Sequence, residues 1–310
     1  MFIVVESGST KADWMVIANE NEQVYNTIGF NPYFHNEQDI LKELNQNNDL
    51  GSIKELVEEL FFYGAGCSSP ELNKIIKDGL SAFFTNAIVH VNHDLDACAY
   101  ACYTDSPAIA CILGTGSNSC YYDGHEVSEI VPALGHILGD EASGSYFGKR
   151  ILADYLYNRL PEVMHKELQA AGLDKMTIVE NVYQKPNANV YIASQMPVLI
   201  KHKNLDYCQH LINEGLQVFI DTHIKCYPNY LDCDVSFVGS LAYLLKEELT
   251  AACEKNNISL TVEESSLMAL GIYQDTRSLT SSSTTPEDLV AVSNLLRKGA
   301  DLDKVSRYMS

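Results

Sequence analysis

The sequence predicts an α/β protein made of one unit used twice, with a cleft between the copies where ligands bind. Three observations predict it. Short apolar runs alternate with segments of helical period along most of the chain, the pattern of strands covered by helices. The order of elements begins again near Ala108, repeating the arrangement at the N-terminus. Each copy also opens on a strand that runs into a glycine turn: Phe2–Val5 into Glu6-Ser7-Gly8-Ser9-Thr10-Lys11, and Ile109–Leu113 into Gly114-Thr115-Gly116-Ser117-Asn118. Glycine admits conformations closed to other residues, and such a turn gathers backbone N–H groups into a concave set of donors suited to a phosphate. Each turn taken alone fits an ordinary hairpin equally well.

In the first copy, residues 1–29 read as three short strands with turns at Gly8 and near Asn19–Gln23, and Gly29-Phe30-Asn31-Pro32-Tyr33 as a loop. Ile40, Leu41 and Leu44 recur at helical spacing. Leu60–Gly64 reads as a buried strand ending at Gly64-Ala65-Gly66. Pro70 opens a helix carrying Leu72, Ile75, Ile76, Leu80 and Phe83. Ala87–Val91 is a further strand and Asp94–Tyr103 a helix. In the second copy, strands are expected at Ala108–Leu113, Ser119–Asp123 and Val127–Val131. Helices follow at Ser143–Leu156, Pro161–Ala171 and Leu205–Lys225. The strand Val235–Val238 then runs through Gly239-Ser240 into a helix over Leu241–Cys253. A strand at Ile258–Val262 and a helix at Ser266–Tyr273 complete the copy. Domains are expected at 1–106 and 107–277, followed over 278–310 by a Ser/Thr linker and a helical tail.

The chain has 310 residues, 46% hydrophobic and 20% charged, as expected of a globular protein with enough length for two cores. Its formal charge of −20 repels nucleic acid and anionic lipid and disfavours both as partners. Nine cysteines, an odd number without any CxxC pair, fit buried reduced thiols in a cytoplasm. Met1–Ala18 has no basic leader and is interrupted by Glu6 and Asp13, so no signal peptide is expected, and no apolar run reaches bilayer length.

Several familiar motifs fail on spacing. Gly144 through Lys149 resembles a P-loop, but its first glycine is too close to Gly148-Lys149 and Arg150 stands where Ser or Thr must bind magnesium. Gly64-x-Gly66 and Gly114-x-Gly116 lack the third small residue of a dinucleotide loop. His90-x-x-His93-Asp94 lacks further metal ligands. What remains is Thr10 and Lys11 after the first turn, Asp94 at a strand-to-helix junction, Asp140 and Glu141 just before a helix, and Gly239-Ser240 at another junction. For the three acids, helix capping worth roughly 0.5–2 kcal/mol and catalysis both fit the position.

Taken together and in order, these residues resemble the acetate-kinase, sugar-kinase, heat-shock-protein and actin superfamily, whose members carry two ribonuclease H-like domains. The resemblance is to the BadF/BadG/BcrA/BcrD ATPase family, the group that includes N-acetylglucosamine kinase. It is carried by Glu6–Trp14, Gly29-Phe30-Asn31-Pro32, Tyr63–Cys67, Asp94, Leu113–Asn118, Leu134–Gly144 and Val238-Gly239-Ser240, and spans about residues 1–276. Two positions depart from the pattern. Glu6 stands where the superfamily commonly has Asp, and Leu134 where mammalian-type N-acetylglucosamine kinases have a tryptophan beside the sugar.

The resemblance implies a cytoplasmic kinase, expected as a homodimer, that moves the γ-phosphoryl group of ATP to a hydroxyl of an amino-sugar with Mg2+. It implies that Ser9, Thr10 and Lys11 touch the β- and γ-phosphates, with Glu6 near the magnesium through water. Thr115, Gly116 and Ser117 would form an opposite phosphate cradle, and Gly239 and Ser240 would line the adenosine site. Asp94 would be the general base and also touch the sugar, with Asn31, Gly116, Gly135 and Asp140. Two other readings stand beside it: an ATP-driven activator of a radical dehydratase, which needs cysteines presented together for an iron–sulfur cluster, and a non-catalytic sugar- or nucleotide-binding regulator.

Overall fold

The computed structural model describes residues 1–18, 21–104 and 106–258. The described residues divide into two compact units, Met1–Tyr100 and residues 101–258.

In the first unit, β1 (Phe2–Ser7), β2 (Lys11–Ala18) and β3 (Asn21–Ile28) form an antiparallel meander, and β4 (Glu59–Gly64) and β5 (Ile88–His93) join it in parallel. The sheet order is β3-β2-β1-β4-β5. Alternation along the strands buries Ile3, Val5 and Ser7 of β1, Ala12, Trp14 and Val16 of β2, and Leu60 and Phe62 of β4. Over them pack α1 (Glu37–Gln46) and α3 (Pro70–Phe83), with the short α2 (Asn48–Ile53) after α1. Asn36 opens α1 as a capping box, accepting from the N–H of Asp39 while Asp39 accepts from the N–H of Asn36. Ser69 caps α3 through the N–H of Leu72. Burial of each large aliphatic side chain in this core contributes about 1.5–3 kcal/mol. The helix α4 (Asp94–Cys102) begins at the residue after β5, without a loop.

The second unit repeats the topology. β6 (Ala108–Leu113), β7 (Ser117–Tyr122) and β8 (Val127–Ser128) are antiparallel, β9 (Asp234–Val238) lies parallel to β6, and the order is β8-β7-β6-β9. It thus matches four strands of the first sheet in both order and direction. Between β8 and β9 come α5 (Gly135–Leu138), α6 (Gly144–Leu156), α7 (Glu162–Ala170), α8 (Lys175–Tyr183), α9 (Ala188–Ala193), α10 (Met196–Lys201) and α11 (Asp206–Phe219). The last runs on into a π turn over Ile220–Ile224. After β9 follow α12 (Ser240–Leu244) and α13 (Lys246–Lys255). Phe147, Ile151, Leu211, Ile212, Leu216 and Phe237 are among the residues of this second core.

Three expectations need correction. The third strand of the second copy is Val127–Ser128, not Val127–Val131; Ser128 pairs with Tyr121, and the exposed Glu129 and Ile130 leave the sheet as the chain approaches Pro132. The helix expected over Leu241–Cys253 breaks at Leu245, whose buried side chain anchors the bend (φ −107°, ψ 21°). The helices α8, α9 and α10 occupy a stretch for which the sequence pattern predicts no element. The expected elements after Ile258, including the linker and tail, lie outside the described residues. Among the described residues no helix is long and apolar enough to cross a membrane.

Candidate active site

In the first unit the parallel register sets Ser7, Gly64 and His93 in one row and Glu6, Tyr63 and Asn92 in the row before it. The segments that leave these strands, Gly8-Ser9-Thr10, Ala65-Gly66-Cys67 and Asp94, therefore emerge at the same carboxyl edge, where ligands of open α/β sheets bind. Asn31 joins them. A Cβ on Gly66 (φ +81°) would lie 2.7 Å from Asn31 Oδ1, and that oxygen accepts from the N–H of Tyr33 at 2.9 Å, which orients the amide. The turn after β1 is backed by Gly29, whose N–H donates to the carbonyl of Thr10 at 3.2 Å. A Cβ on Gly29 would fall 1.9 Å from the carbonyl oxygen of Gly8, so only glycine fits. Ser7, fully buried, accepts from the N–H of Phe30 at 2.8 Å and ties the same loop down.

Acids gather at this edge. Glu6 is opposed by Asp13 across β1 and β2, and Asp13 in turn accepts from Asn26 and lies 3.2 Å from Lys11 Nζ. Glu6 keeps an open surface, yet the protein around it desolvates its carboxyl, and with Asp94 and Asp13 nearby this pushes it up to about 7 against the pull of Lys11. Burial raises the Asp94 carboxyl as well, opposed by His93 and by the backbone N–H groups at the start of α4. The His93 ring Nδ1 is 3.4 Å from Asp94 Oδ1, while the N–H of His93 donates to Asp96. Both acids thus serve the start of this helix, Asp96 through the N–H of His93 and Asp94 through its own N–H and that of Leu95. A carboxylate of raised proton affinity at a strand end can take a proton from a hydroxyl. Burial, with Asp94 adding, pushes the Cys67 thiol up to about 12, which makes it a poor nucleophile.

In the second unit the Gly114-Thr115-Gly116 turn is fastened to the start of α6. The N–H groups of Gly144 and Ser145 donate to the carbonyls of Gly114 and Thr115 at 2.8 and 3.0 Å, and Ser145 Oγ donates to Thr115 as well. Gly116 faces Asp140: a Cβ there would lie 3.1 Å from Asp140 Oδ1. The N–H of Ser117 reaches the same oxygen at 3.4 Å, and Ser117 Oγ donates to the Glu141 carbonyl at 2.7 Å. Asp140 and Ala142 both adopt left-handed backbone, φ 59° and 55°. Burial pushes the Asp140 carboxyl up to about 6, opposed by the Ser117 N–H and by Lys149, with Glu141 adding to the rise. Lys149 donates to the carbonyl of His136. Gly239 (φ +111°) follows β9, and a Cβ there would lie 2.4 Å from the Leu113 carbonyl oxygen, so Gly239 and the exposed Ser240 sit beside the end of β6. Gly135 (φ +67°) has open space around it, and Leu134, Ile137 and Leu138 are exposed beside it.

Of the residues expected from sequence, Glu6, Ser9, Thr10, Lys11, Asn31 and Asp94 are thus brought to one edge of the first sheet. Thr115, Gly116, Ser117, Asp140, Gly239 and Ser240 lie near the carboxyl ends of β6 and β9. Sequence reasoning gives no role to Ser7 and Asp13, although both stand within the Glu6–Trp14 stretch, and misses Ser145 and His223, which stand in no motif. Among the described residues no three His, Cys, Asp or Glu side chains are grouped to hold a metal ion. His90, part of the failed zinc pattern, instead pairs with Glu59 at 3.1 Å. All nine cysteines are free thiols, and Cys98 and Cys102 are buried on α4.

Comparison with known proteins places this geometry. A provisionally named N-acetylglucosamine kinase from Porphyromonas gingivalis, known from its crystal structure, is 32% identical; the match covers 84% of this chain and 93% of that one, with a TM-score of 0.77. A second protein of the same provisional name, from Chromobacterium violaceum, is 16% identical over 84% of this chain and 93% of its own, at a TM-score of 0.61. A ROK family glucokinase from Streptomyces griseus, solved with glucose and AMPPNP, is 15% identical over 83% and 90% of the two chains, at 0.50. These last two share the fold: a mixed α/β architecture with two sheets, that of sugar kinases of the actin-like ATPase class. No family model matches the chain. Two curated A-adding tRNA nucleotidyltransferases, from Geobacter sulfurreducens and Aquifex aeolicus, are 50% and 37% identical over 62 and 103 residues, or 20% and 31% of this chain. The chain spans only 7% and 12% of those enzymes' own lengths.

Proposed function

The chain belongs to the same family as the Porphyromonas gingivalis protein, on the sugar-kinase form of the actin-like ATPase fold, and from that premise we propose that it transfers the γ-phosphoryl group of ATP to a hydroxyl of an amino-sugar. N-acetylglucosamine or a related hexosamine is the substrate class, in line with the resemblance to the BadF/BadG/BcrA/BcrD ATPase family, and the two ribonuclease H-like domains are assigned to 1–106 and 107–277. The observation that carries the reading is Asp94: a desolvated carboxylate at the carboxyl end of a parallel strand, beside His93 and within electrostatic reach of Glu6.

In this reading Asp94 takes the proton of the sugar hydroxyl as its oxygen attacks the γ-phosphorus, and the bond from that phosphorus to the β,γ-bridging oxygen breaks to release ADP. Phosphoryl transfer asks chiefly for positioning and charge neutralisation, and a placed base contributes about 10²–10⁴-fold. Ser9, Thr10 and Lys11 hold the β- and γ-phosphates from the first unit; the tight backing of the Gly8 turn by Gly29 supports a preformed cradle. Thr115, Gly116 and Ser117 serve the phosphates from the second, and Gly239 and Ser240 the adenosine. Glu6, with Asp13 opposed to it, would hold through water the magnesium that accompanies the triphosphate, and the ion would supply charge neutralisation. Asn31, Gly116, Gly135 and Asp140 meet the sugar.

The test is ADP release against a panel of amino-sugars. Wild type turns over at least one of them, and Asp94→Asn loses about 10²–10⁴-fold in kcat while still binding ATP. An enzyme whose ADP release no sugar accelerates, or an Asp94→Asn variant of full activity, would overturn the proposal.

A further inference from the structure

Four residues of the second unit, Ser117, Ser119, Glu141 and His223, close a hydrogen-bonded circuit, and the mechanism above gives a role to Ser117 alone. Ser117 and Ser119 lie two residues apart on β7 and so project from one face. Ser117 Oγ donates to the Glu141 carbonyl and Ser119 Oγ to the His223 carbonyl, each at 2.7 Å. The circuit closes through His223 Nε2, which lies 3.0 Å from Glu141 Oε2. A carboxylate only accepts, so Nε2 is the donor.

The setting of His223 singles it out. Its side chain is 4% exposed, its ring stacks on Phe219 at 4.7 Å, and it sits in the π turn Ile220–Ile224, an irregularity that recurs at functional sites. Nδ1 is buried without a hydrogen-bond partner among the described residues, so Glu141 is the polar group that fixes the ring. Glu141 stands between Asp140 and Ala142, both left-handed, a backbone that persists only where its surroundings hold it. Its carbonyl is held by Ser117 and its carboxylate by His223.

We propose that His223 is a positioning residue for sugar binding: through Glu141 it holds the left-handed loop that sets Asp140 against Gly116 and Ser117. The inference rests on the reading of Asp140 as a sugar ligand. A ring present only to fill the core could become phenylalanine with no effect on the loop.

The experiment compares His223→Phe, which keeps the stack on Phe219 and removes the donor, with His223→Gln, which keeps a donor. In His223→Phe the KM for the best sugar of the panel rises about 10–10²-fold, the cost of a small misplacement, while kcat and the KM for ATP stay within about twofold. His223→Gln recovers most of the loss. In an Asp140→Asn background, His223→Phe adds less than about twofold, because both act through one contact. Independently of catalysis, backbone amide exchange over residues 139–142 speeds at least about tenfold in His223→Phe, as a strained loop released from its support opens more often. Wild-type sugar KM and loop exchange in His223→Phe, or a His223→Gln variant no better than phenylalanine, would overturn the inference. Should no sugar be turned over by wild type, the functional reading fails and the exchange measurement alone decides this one. Should His223→Phe not fold, Glu141→Ala, at a partly exposed side chain, carries the same expectations.

Discussion

Glu6 and Asp13 occupy directly opposed positions on the antiparallel strands β1 and β2, two carboxylates on one face with the Lys11 ammonium 3.2 Å from the second of them. Like charges opposite one another weaken a sheet. The arrangement is therefore poor for stability alone and suits an edge that receives a cation.

It also sets a pH dependence. The Glu6 carboxyl stands at about 7, above its ordinary 4.5, so the folded protein holds this proton more tightly than the unfolded chain does. Below the unfolded value both states carry it, and the stability that the protonated group provides is fully present. As pH rises from there through the folded value, wild type loses that stability. Glu6→Gln has no such group. Its thermal midpoint, measured by calorimetry, should gain on that of wild type between about pH 4.5 and 7 and hold a constant lead above that. A constant difference from about pH 4 to 8 would mean that Glu6 titrates as an ordinary carboxyl.

Gly29 offers a purely steric test. A methyl group there would meet the Gly8 carbonyl oxygen at 1.9 Å and the Ser9 carbonyl carbon at 3.0 Å, all backbone, so the turn itself must move. Gly29→Ala should cost about 1–3 kcal/mol in denaturant unfolding and weaken ATP binding. Gly172→Ala is the control: its φ is +79° but nothing lies within 4 Å, so it should cost only about 1 kcal/mol of backbone strain and leave ATP binding alone. Equal ATP affinity in the two variants would show that the turn after β1 does not hold phosphate.

How much of this is legible in the sequence depends on the range of the forces involved. The meander of the first unit, Pro70 and Ser69 at the start of α3, and the abrupt passage from β5 to Asp94 follow from local rules of alternation, capping and turn chemistry. The glycine turns are visible for the same reason. α8, α9 and α10 are not, because each is short and Pro186 and Pro197 break the pattern around them. One signal is present: Asp174 caps α8 through the N–H of Thr177 at 2.7 Å, and an Asp soon after Gly172 can announce it. His223 cannot be found from sequence. Its partner Glu141 is 82 residues away, and an isolated histidine on an apolar helix face gives no hint of one.

Asp140 should make sugar binding depend on pH. Burial holds its carboxyl at about 6, so it is largely protonated at about pH 5 and ionised at about 7. As a sugar ligand it accepts hydrogen bonds best when ionised. The sugar dissociation constant, followed by titration calorimetry, should therefore fall as pH rises toward about 6, by up to about tenfold per unit, and level off beyond it. Asp140→Asn should bind more weakly and show no such limb. A wild-type limb that survives in Asp140→Asn would assign the titration to another group.

Trp14, the single tryptophan of the chain, gives the first unit its own optical reporter. It is fully buried, lies against Phe30 and Phe84 with ring centroids 6.1 and 6.0 Å away, and donates from Nε1 to Thr27 Oγ1 at 2.9 Å. Leu80 belongs to the same core, whereas Leu216 belongs to the separate core of the helix-rich second unit. A domain with its own core can unfold by its own transition. Leu80→Ala should therefore lower the denaturant midpoint seen by tryptophan fluorescence, at a cost of about 2–5 kcal/mol. Leu216→Ala should move the far-ultraviolet circular dichroism transition, which the helices of the second unit dominate, more than it moves the fluorescence. Identical shifts in both probes for both variants would mean that the two cores melt as one.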